Sequence, residues 1–594
     1  MLGKSFDLSS EDNSILAQQI SSTFDKFNDK RQAQLISIDE IKKHIFSHNT
    51  NSVSWNNDVH LPDVYELSQT LKSHLIENLY SNPEAMFDVQ GVNEDAQQLA
   101  NSHKAMLVNA FQKMNFKNEM ESIVDSIVEA GEATLFIGWN TLYKKRRRPQ
   151  NLEEKFLSPS QDGFVIEDKL AYDGPIVKCI NPADFVFDVD RFANFDSCPK
   201  IYRSFLDISE IAHNKSYNCL NDSILEELYL LISSNIPKSN KFRLLTNNKS
   251  SSFPPSKFKV FEGGFSSIYS DSSKFSKAIR GNQLEVLEYY GDIKLPNGDI
   301  LKNWLVTVVG RSKVVRFEQN PFVINPFVHA SIIQDPDNLR GVSPIKVALE
   351  LSSISSTILN KQLDALSLII NPPYLAPKGC FSGEQLVKPG SIIEYDAALM
   401  PQKPMPLDFS SAIVGWDFIK FFKNQMESAT GVYRNMAGDL RSNENKTATE
   451  FNYSVSSQAI RLNMLIDSVS RKIIIPMVQK VAEIISNFKF GKETITYNDN
   501  GEVKFLTISD PERSSYDFLY HYGDRKSSLD RKSKFSQLFN IISSFSNMPQ
   551  FASQIDWVEC FKFALEQFGV ENSSAFIKQN HSTQNNSHPI DKAS

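Results

Sequence analysis

The chain has 594 residues, 41% hydrophobic and 22% charged, which is ordinary globular usage and excludes wholesale disorder. Lys and Arg total 63 against 70 Asp and Glu, a formal net charge of −7, which argues against a strongly basic coat for nucleic acid. The five cysteines (Cys179, Cys198, Cys219, Cys380 and Cys560) form no C-x-x-C pair, as expected of free thiols in a reducing compartment. No apolar signal segment opens the chain and no run approaches the roughly 18 apolar residues of a membrane span, so a soluble, cytosol-made protein is expected.

In chain order, the first third predicts helices with polar connectors. Residues 10–29 carry Ile15, Ile20 and Phe24 behind the start signal Ser9-Ser10-Glu11-Asp12, and 64–80 repeats the pattern. Residues 96–129 read as one longer helix. Thr134 to Trp139 reads as a strand, followed by the basic run Lys144 to Arg148. Short β-like runs come at Phe164–Ile166 and Phe185–Phe187, and a helical patch at 207–234. The Ser/Asn/Pro-rich stretch 238–280 sets nine Lys and Arg against Glu262 and Asp271, which is loop chemistry with a local charge of +7. Glu285 to Gly291 and Trp304 to Val309 flank Pro296-Asn297-Gly298-Asp299, a hairpin signal.

Ser343-Pro344 then opens a predicted helix of roughly 25 residues, about 38 Å long, to Ile370. Val347, Leu351, Ile354 and Ile358 mark one face of it, and Asn371-Pro372-Pro373 stops it. A Pro/Gly-punctuated module, 374–409, contains the strand-like Ser391 to Tyr395. A second helix, 411–430, carries Phe418, Phe421 and Phe422, which read as core or subunit packing rather than base stacking. After Gly431 and a polar loop, a long helical pattern runs from Thr447 or Thr449 to Phe488, with Pro476 predicted to kink it. A hairpin around Asn498 to Gly501 and a helical stretch 526–578 complete the body.

Catalytic templates fail. There is no G-x-x-x-x-G-K-[ST] phosphate loop, no G-x-S-x-G elbow and no H-E-x-x-H. His44 and His48 have the i, i+4 spacing of two metal ligands but no third ligand nearby, so they read as a solvated pair. Asp188/Asp190 or Glu153-Glu154 are the carboxylate pairs a Mg²⁺-dependent nuclease would need, but such pairs arise by chance among 70 acids. The run 144–148 reads as a solvated loop or as a phosphate contact. A protein without catalysis, metal or cofactor is expected.

The order of these elements resembles the portal (head–tail connector) proteins of tailed, podovirus-like bacteriophages. Four passages carry the resemblance: Ile180-Asn181-Pro182-Ala183-Asp184-Phe185-Val186-Phe187-Asp188; Glu285-Val286-Leu287-Glu288-Tyr289-Tyr290-Gly291-Asp292; Gly341-Val342-Ser343-Pro344; and Thr430-Gly431-Val432-Tyr433-Arg434 through Asn445-Lys446-Thr447-Ala448-Thr449-Glu450. The resemblance implies a mixed α+β, helix-dominated portal fold assembled as a ring around a central channel. It maps a wing onto 1–342, stem helices onto 343–370 and 411–430, and a clip onto 371–410. A tunnel loop falls on 431–446, a long kinked helix with a return to the wing on 447–525, a crown on 526–578 and a disordered tail on 579–594.

It further implies a homododecamer at one capsid vertex of the virion, assembled in the host cytoplasm, through which double-stranded DNA is packaged and ejected. Its other implied partners are the terminase large subunit, head–tail adaptor proteins, and major capsid and scaffold proteins, with no membrane. Twelve copies at −7 each give an acidic tunnel past which DNA slides. Arg434, Arg441 and Lys446 become the expected DNA-facing cations of the loop, with Lys378, Lys388 and Lys403 as clip candidates and Pro476 as the helix kink. Another virion structural protein, a tail adaptor or internal protein, is the alternative, and a metal-dependent nuclease the weaker one.

Overall fold

The computed structural model describes residues 10–46, 57–149 (except 81–82 and 84–85), 164–235 (except 191–193), 279–432 and 461–522. Within the last two ranges, 281–282, 296–297, 335–338, 379–387, 397, 399–404, 409–415, 500–501 and 515–516 are also outside the described residues. Of the expected loop 238–280, all but Ile279–Arg280, which form a short strand, lie outside them, as do most of the tunnel loop, the crown and the tail. The fold is mixed helix and strand, with no closed barrel among the described residues. The chain divides into two compact units, residues 1–79 with 114–487, and residues 80–113 with 488–594.

The first unit opens with helices α1 (Ser10–Lys30), α2 (Gln32–Phe46) and α3 (Asp63–Leu79). The stripe that α1 buries is Leu16, Ala17, Ile20, Phe24 and Phe27, while the expected Ile15 is exposed. The single helix expected at 96–129 is two helices, α4 (Glu94–Lys113) and α5 (Phe116–Ala130). Asn115 between them has φ 53°, a left-handed conformation that Asn tolerates and that ends a helix. The break falls where one unit gives way to the other.

The centre of this unit is a six-stranded antiparallel sheet. It takes β4 (Phe185–Phe187), β5 (Lys200–Asp207), β6 (Ile279–Arg280), β7 (Gln283–Lys294), β8 (Ile300–Val309) and β9 (Lys313–Gln319) in the order β4-β5-β7-β8-β9, with β6 also on β7. The predicted hairpin is β7–β8, with Tyr290 opposite Leu305, and Gly298 takes φ +96° in its turn. Alternation covers both faces. Leu287, Tyr289, Val306 and Val308 pack under α1, and Leu284, Val286 and Val309 pack under α6 (Ile208–His213) and α7 (Asp222–Asn235).

A second sheet joins β2 (Glu132–Pro149) to β3 (Phe164–Ile180) and to β10 (Phe327–Ser331). The strand expected at 134–139 thus runs on through the basic run, which is a strand rather than a loop. Helix α8 (Lys346–Ile370), β11 (Tyr374–Pro377), β12 (Ile392–Tyr395), β13 (Met405–Pro406) and α9 (Trp416–Thr430) follow. Helix α10, residues 461–488, closes the unit. Helix α8 starts at Lys346 rather than at Pro344, because Ser343 Oγ accepts the Ile345 N–H (3.2 Å) and turns the chain first.

In the second unit, β1 (Phe87–Gly91) pairs antiparallel with β16 (Phe518–Tyr522), and β14 (Glu493–Asp499) with β15 (Glu502–Ile508), the hairpin expected around 498–501. His103 of α4 is fully buried here. Its Nδ1 faces the Glu512 carbonyl (2.6 Å) and its Nε2 the Tyr520 hydroxyl (2.9 Å). The carbonyl accepts only from an N–H, which fixes the proton on Nδ1. Burial lowers the imidazole pKa to about 4, partly offset by that carbonyl.

Candidate functional site: a helix pair bridged by a small sheet

Three of the four passages that carry the resemblance are buried joints. In the first, Asn181 Oδ1 accepts the Ala183 N–H (3.0 Å) at the start of a 3-10 turn, Pro182–Asp184. The carbonyls of that turn and of Phe185 receive the buried Arg31 guanidinium, 2.7 Å at Ala183 and 2.6 Å at Phe185. In the second, the fully buried Glu285 holds Arg311, which also pairs with Asp25 of α1 (2.8 Å). In the third, Gly341 lies so close to Gly131 that an added Cβ would stand 2.3 Å from the Gly131 carbonyl oxygen. Beside it, buried Glu132 accepts the Arg340 Nη1–H (2.7 Å) and the Gly341 N–H (2.8 Å). Burial pushes the Glu132 carboxyl up, but Arg340, His329 and the Gly341 amide outweigh it and hold it below the usual range. The chain entering α8 is therefore anchored on β2.

Helix α8 has two opposed stripes. Ser356, Asn360 and Asp364, four residues apart, bind the backbone of a strap formed by residues 57–61. Asn57 donates its N–H and its Nδ2–H to Asp364 Oδ1 (2.7 and 2.8 Å), Asn360 exchanges two hydrogen bonds with Val59 (2.8 and 3.0 Å), and Ser356 Oγ accepts from the Leu61 N–H (3.1 Å). Because this polar stripe turns inward, the apolar stripe that alternates with it turns outward. Val347 is 60% and Ile354 44% exposed, and Leu351 and Ile358 are half-buried.

Helix α9 is tied to the start of α3, just after the strap, by Lys423, whose Nζ lies 3.0 Å from Asp63 Oδ1. The strap thus meets the middle of α8, the start of α3 meets the middle of α9, and the small sheet lies between the two helices in the chain. On α9, Ile419 and Met426 are buried, while Phe418 and Phe421 are 55% and 53% exposed. Of the three phenylalanines expected in core or subunit packing, Phe418 and Phe421 are thus not in this chain's own core, while Phe422 is half-buried with its ring 5.6 Å from that of Phe421. Gly431, at φ +73°, ends the helix with its N–H on the Glu427 carbonyl (2.9 Å).

The intervening module is a three-stranded sheet in the order β12-β11-β13, parallel between β11 and β12 and antiparallel between β11 and β13. Lys378 is exposed at the end of β11, its amide on the Tyr395 carbonyl (2.9 Å). Lys388 is half-buried, its amide on Ser391 Oγ (3.0 Å). Lys403, Arg434, Arg441 and Lys446 lie outside the described residues, as do His48 and Glu153-Glu154.

Pro476 follows a π turn, Ser470–Ile474, within α10. A proline at 476 has no N–H for the Lys472 carbonyl, and the wider turn makes room for its ring. His44 stands near His60, and burial, then His60, lowers its pKa. Asp188 and Asp190 both close on Lys30 Nζ, 2.9 and 2.7 Å, so an ammonium already sits between the pair considered for Mg²⁺. Among the described residues no helix is long and apolar enough to cross a membrane.

The sequence reading missed the strap. The signal for it was the polar residues at 356, 360 and 364, half a turn away from the apolar stripe.

Helix α8 turns a polar stripe inward and an apolar one outward, and α9 exposes Phe418 and Phe421 while burying Ile419 and Met426, so both helices leave apolar area uncovered within the chain. The sequence model of the family described as phage SU10 portal protein matches residues 266–577, more than half of the chain and the whole helix–sheet–helix segment. The chain belongs to that family: it is a phage portal protein, a structural component of the virion. No curated protein matches it.

Proposed function

We propose that copies of this chain close head to tail into a ring of twelve around a channel at one capsid vertex. Double-stranded DNA enters and leaves the head through it. In this reading α8 and α9 are the stem, the sheet of β11 to β13 belongs to the clip spanning 371–410, the N-terminal body (1–342) is the wing, and 526–578 form the crown. The ring docks the packaging motor, the terminase large subunit, and later the head–tail adaptors, with scaffold and major capsid protein around it. Assembly takes place in the host cytoplasm. The portal itself carries out no catalysis.

The observation that carries this reading is the outward apolar surface of the helix pair, Val347 and Ile354 on α8 with Phe418 and Phe421 on α9. A head-to-tail contact that buries such a face on one side of each copy forms a ring when its rotation closes, and the ring reading takes this contact to close. DNA passes an acidic wall, with −7 per copy, and meets cations at Arg434, Arg441 and Lys446 in the tunnel loop. Lys378, Lys388 and Lys403 present further cations on the clip, and Pro476 bends the long helix that sets the loop's position.

Negative-stain electron microscopy with the native mass of the purified full chain tests the ring. Rings with a central hole and a mass of twelve subunits are expected, and a compact closed dimer would end the reading. Replacing Arg434, Arg441 and Lys446 together by Ala is expected to leave the ring intact and impair DNA packaging or retention. Unchanged packaging and retention would remove the gripping role from these residues.

A further inference from the structure

The β2–β3 hairpin leaves the body as a bare ribbon. Its root is buried through Ala133, Leu135 and Ile137 against Val177 and Ile180, whereas residues 141–147 and 168–171 are exposed. The register assigns its two faces, because directly opposed residues share a face. One face holds Tyr143 with Leu170, Lys145 with Asp168, Arg147 with Ile166 and Pro149 with Phe164. The other holds Lys144 with Lys169, Arg146 with Glu167 and Arg148 with Val165. The first is apolar with cations set into it. Tyr143 is 64% and Ile166 69% exposed, and the Arg147 guanidinium lies 4.3 Å above the Phe164 ring. A two-stranded ribbon is marginal alone in water, and an apolar face of this kind calls for cover.

The cover has a recognisable chemistry. Residues 141–149 and 164–173 carry six cations against three acids, +3, which leaves −10 for the rest of a chain of −7. Helix α7 presents an exposed stripe of the matching kind: Asp222, Glu226, Tyr229 and Leu230, at helical spacing on one face. Neighbouring Glu227 pairs with Lys313 (2.6 Å), but among the described residues Asp222 and Glu226 have no ion-pair partner. Both surfaces are exposed on the same chain, so neither covers the other within one copy.

We infer that the ribbon of one copy lies across α7 of the next, a contact that rests on the ring reading. Tyr143, Ile166 and Leu170 meet Tyr229 and Leu230, while Lys145 and Arg147 face Asp222 and Glu226. A second copy fits better than duplex DNA, because phosphates would leave the aromatic face uncovered and meet Asp168 and Asp173.

The test is the concentration at which the full chain passes from monomer to ring, followed by mass photometry at fixed salt. Lys145→Glu with Arg147→Glu is expected to raise that concentration at least about tenfold, the loss of about 1.4 kcal/mol. Asp222→Lys with Glu226→Lys, at exposed positions of a helix whose other face packs on the sheet, is expected to do the same, and all four together to recover most of the loss. Lys144→Glu with Arg146→Glu, the same charge change on the other face, is expected to leave assembly unchanged.

Rings that form alike with and without the first pair of substitutions would overturn the docking and leave the ring reading standing. So would equal losses from the two faces, failure of the combined variant to recover, or a ribbon whose substitutions abolish only duplex DNA binding. A wild-type chain that forms no ring at any concentration would bring down both.

Discussion

The six-stranded sheet and helix α8 divide their side chains in opposite ways. In the sheet, Phe317, Val306 and Val308 are buried to 1% exposure or less under α1, and the acid that shares their depth, Glu285, is paired with Arg311. On α8, Ser352, Ser355 and Ser356 are buried while Val347 and Ile354 face out. Burial of apolar area contributes about 25 cal/mol per Å² wherever the cover comes from. A helix that leaves it unused within the chain forgoes that stabilisation in the single copy, and on the ring reading recovers it against a second one. One region is thus held by its own interior, and the other leaves apolar area uncovered within the chain.

The largest expected effect comes from breaking the interior. Arg340→Met leaves the Glu132 carboxylate buried without its partner, and removing one half of a buried pair costs about 3–5 kcal/mol. Urea denaturation of the variant should show that loss, with the double variant Glu132→Gln/Arg340→Met recovering part of it. If the single variant unfolds at the wild-type midpoint, the joint between β2 and the start of α8 is not the anchor described above.

A second effect, of about 3 kcal/mol, is set by pH and sits in the other unit. The His103 pKa of about 4 in the fold lies below its ordinary 6.5. The unfolded chain therefore takes up the proton first on acidification. Stability is full above pH 6.5 and falls as pH drops toward 4. His103→Asn should flatten that slope in denaturation curves taken from pH 7 to 4. An identical slope in the variant would assign the acid sensitivity elsewhere, for instance to His329, also depressed to about 4 by burial.

What was legible in the sequence follows the same division. Helices α1 and α3, the β7–β8 hairpin and the helix–module–helix order were readable because local period and turn residues decide them, as at Gly298 in the hairpin turn. The break at Asn115 was not, since the apolar pattern runs through it and only the backbone's left-handed step separates the helices. Nor was the strand through Lys144 to Arg148. Five consecutive cations read as loop, and only their pairing across to 165–169 of β3 makes them a ribbon. On α8 the apolar stripe was found but not its direction. Which face turns inward depends on a strap some 300 residues earlier, through Asn57, Val59 and Leu61.

The smallest effect on the chain itself is expected where the comparison is sharpest. Phe418→Ser with Phe421→Ser removes two exposed rings from α9, and surface substitutions of this kind move stability by no more than about 0.5 kcal/mol. Phe317→Ala in the sheet should cost about 3–5 kcal/mol by contrast, since it opens a cavity against Trp304 and α1. The unfolding midpoint of the α9 variant should therefore match the wild type while its rings dissociate at higher protein concentration. Denaturation and native mass, measured on the same sample, separate the two quantities. A midpoint lowered as far as that of Phe317→Ala would place Phe418 and Phe421 inside this chain's own core. Unchanged rings would mean that the outward face of the pair meets something other than a second copy.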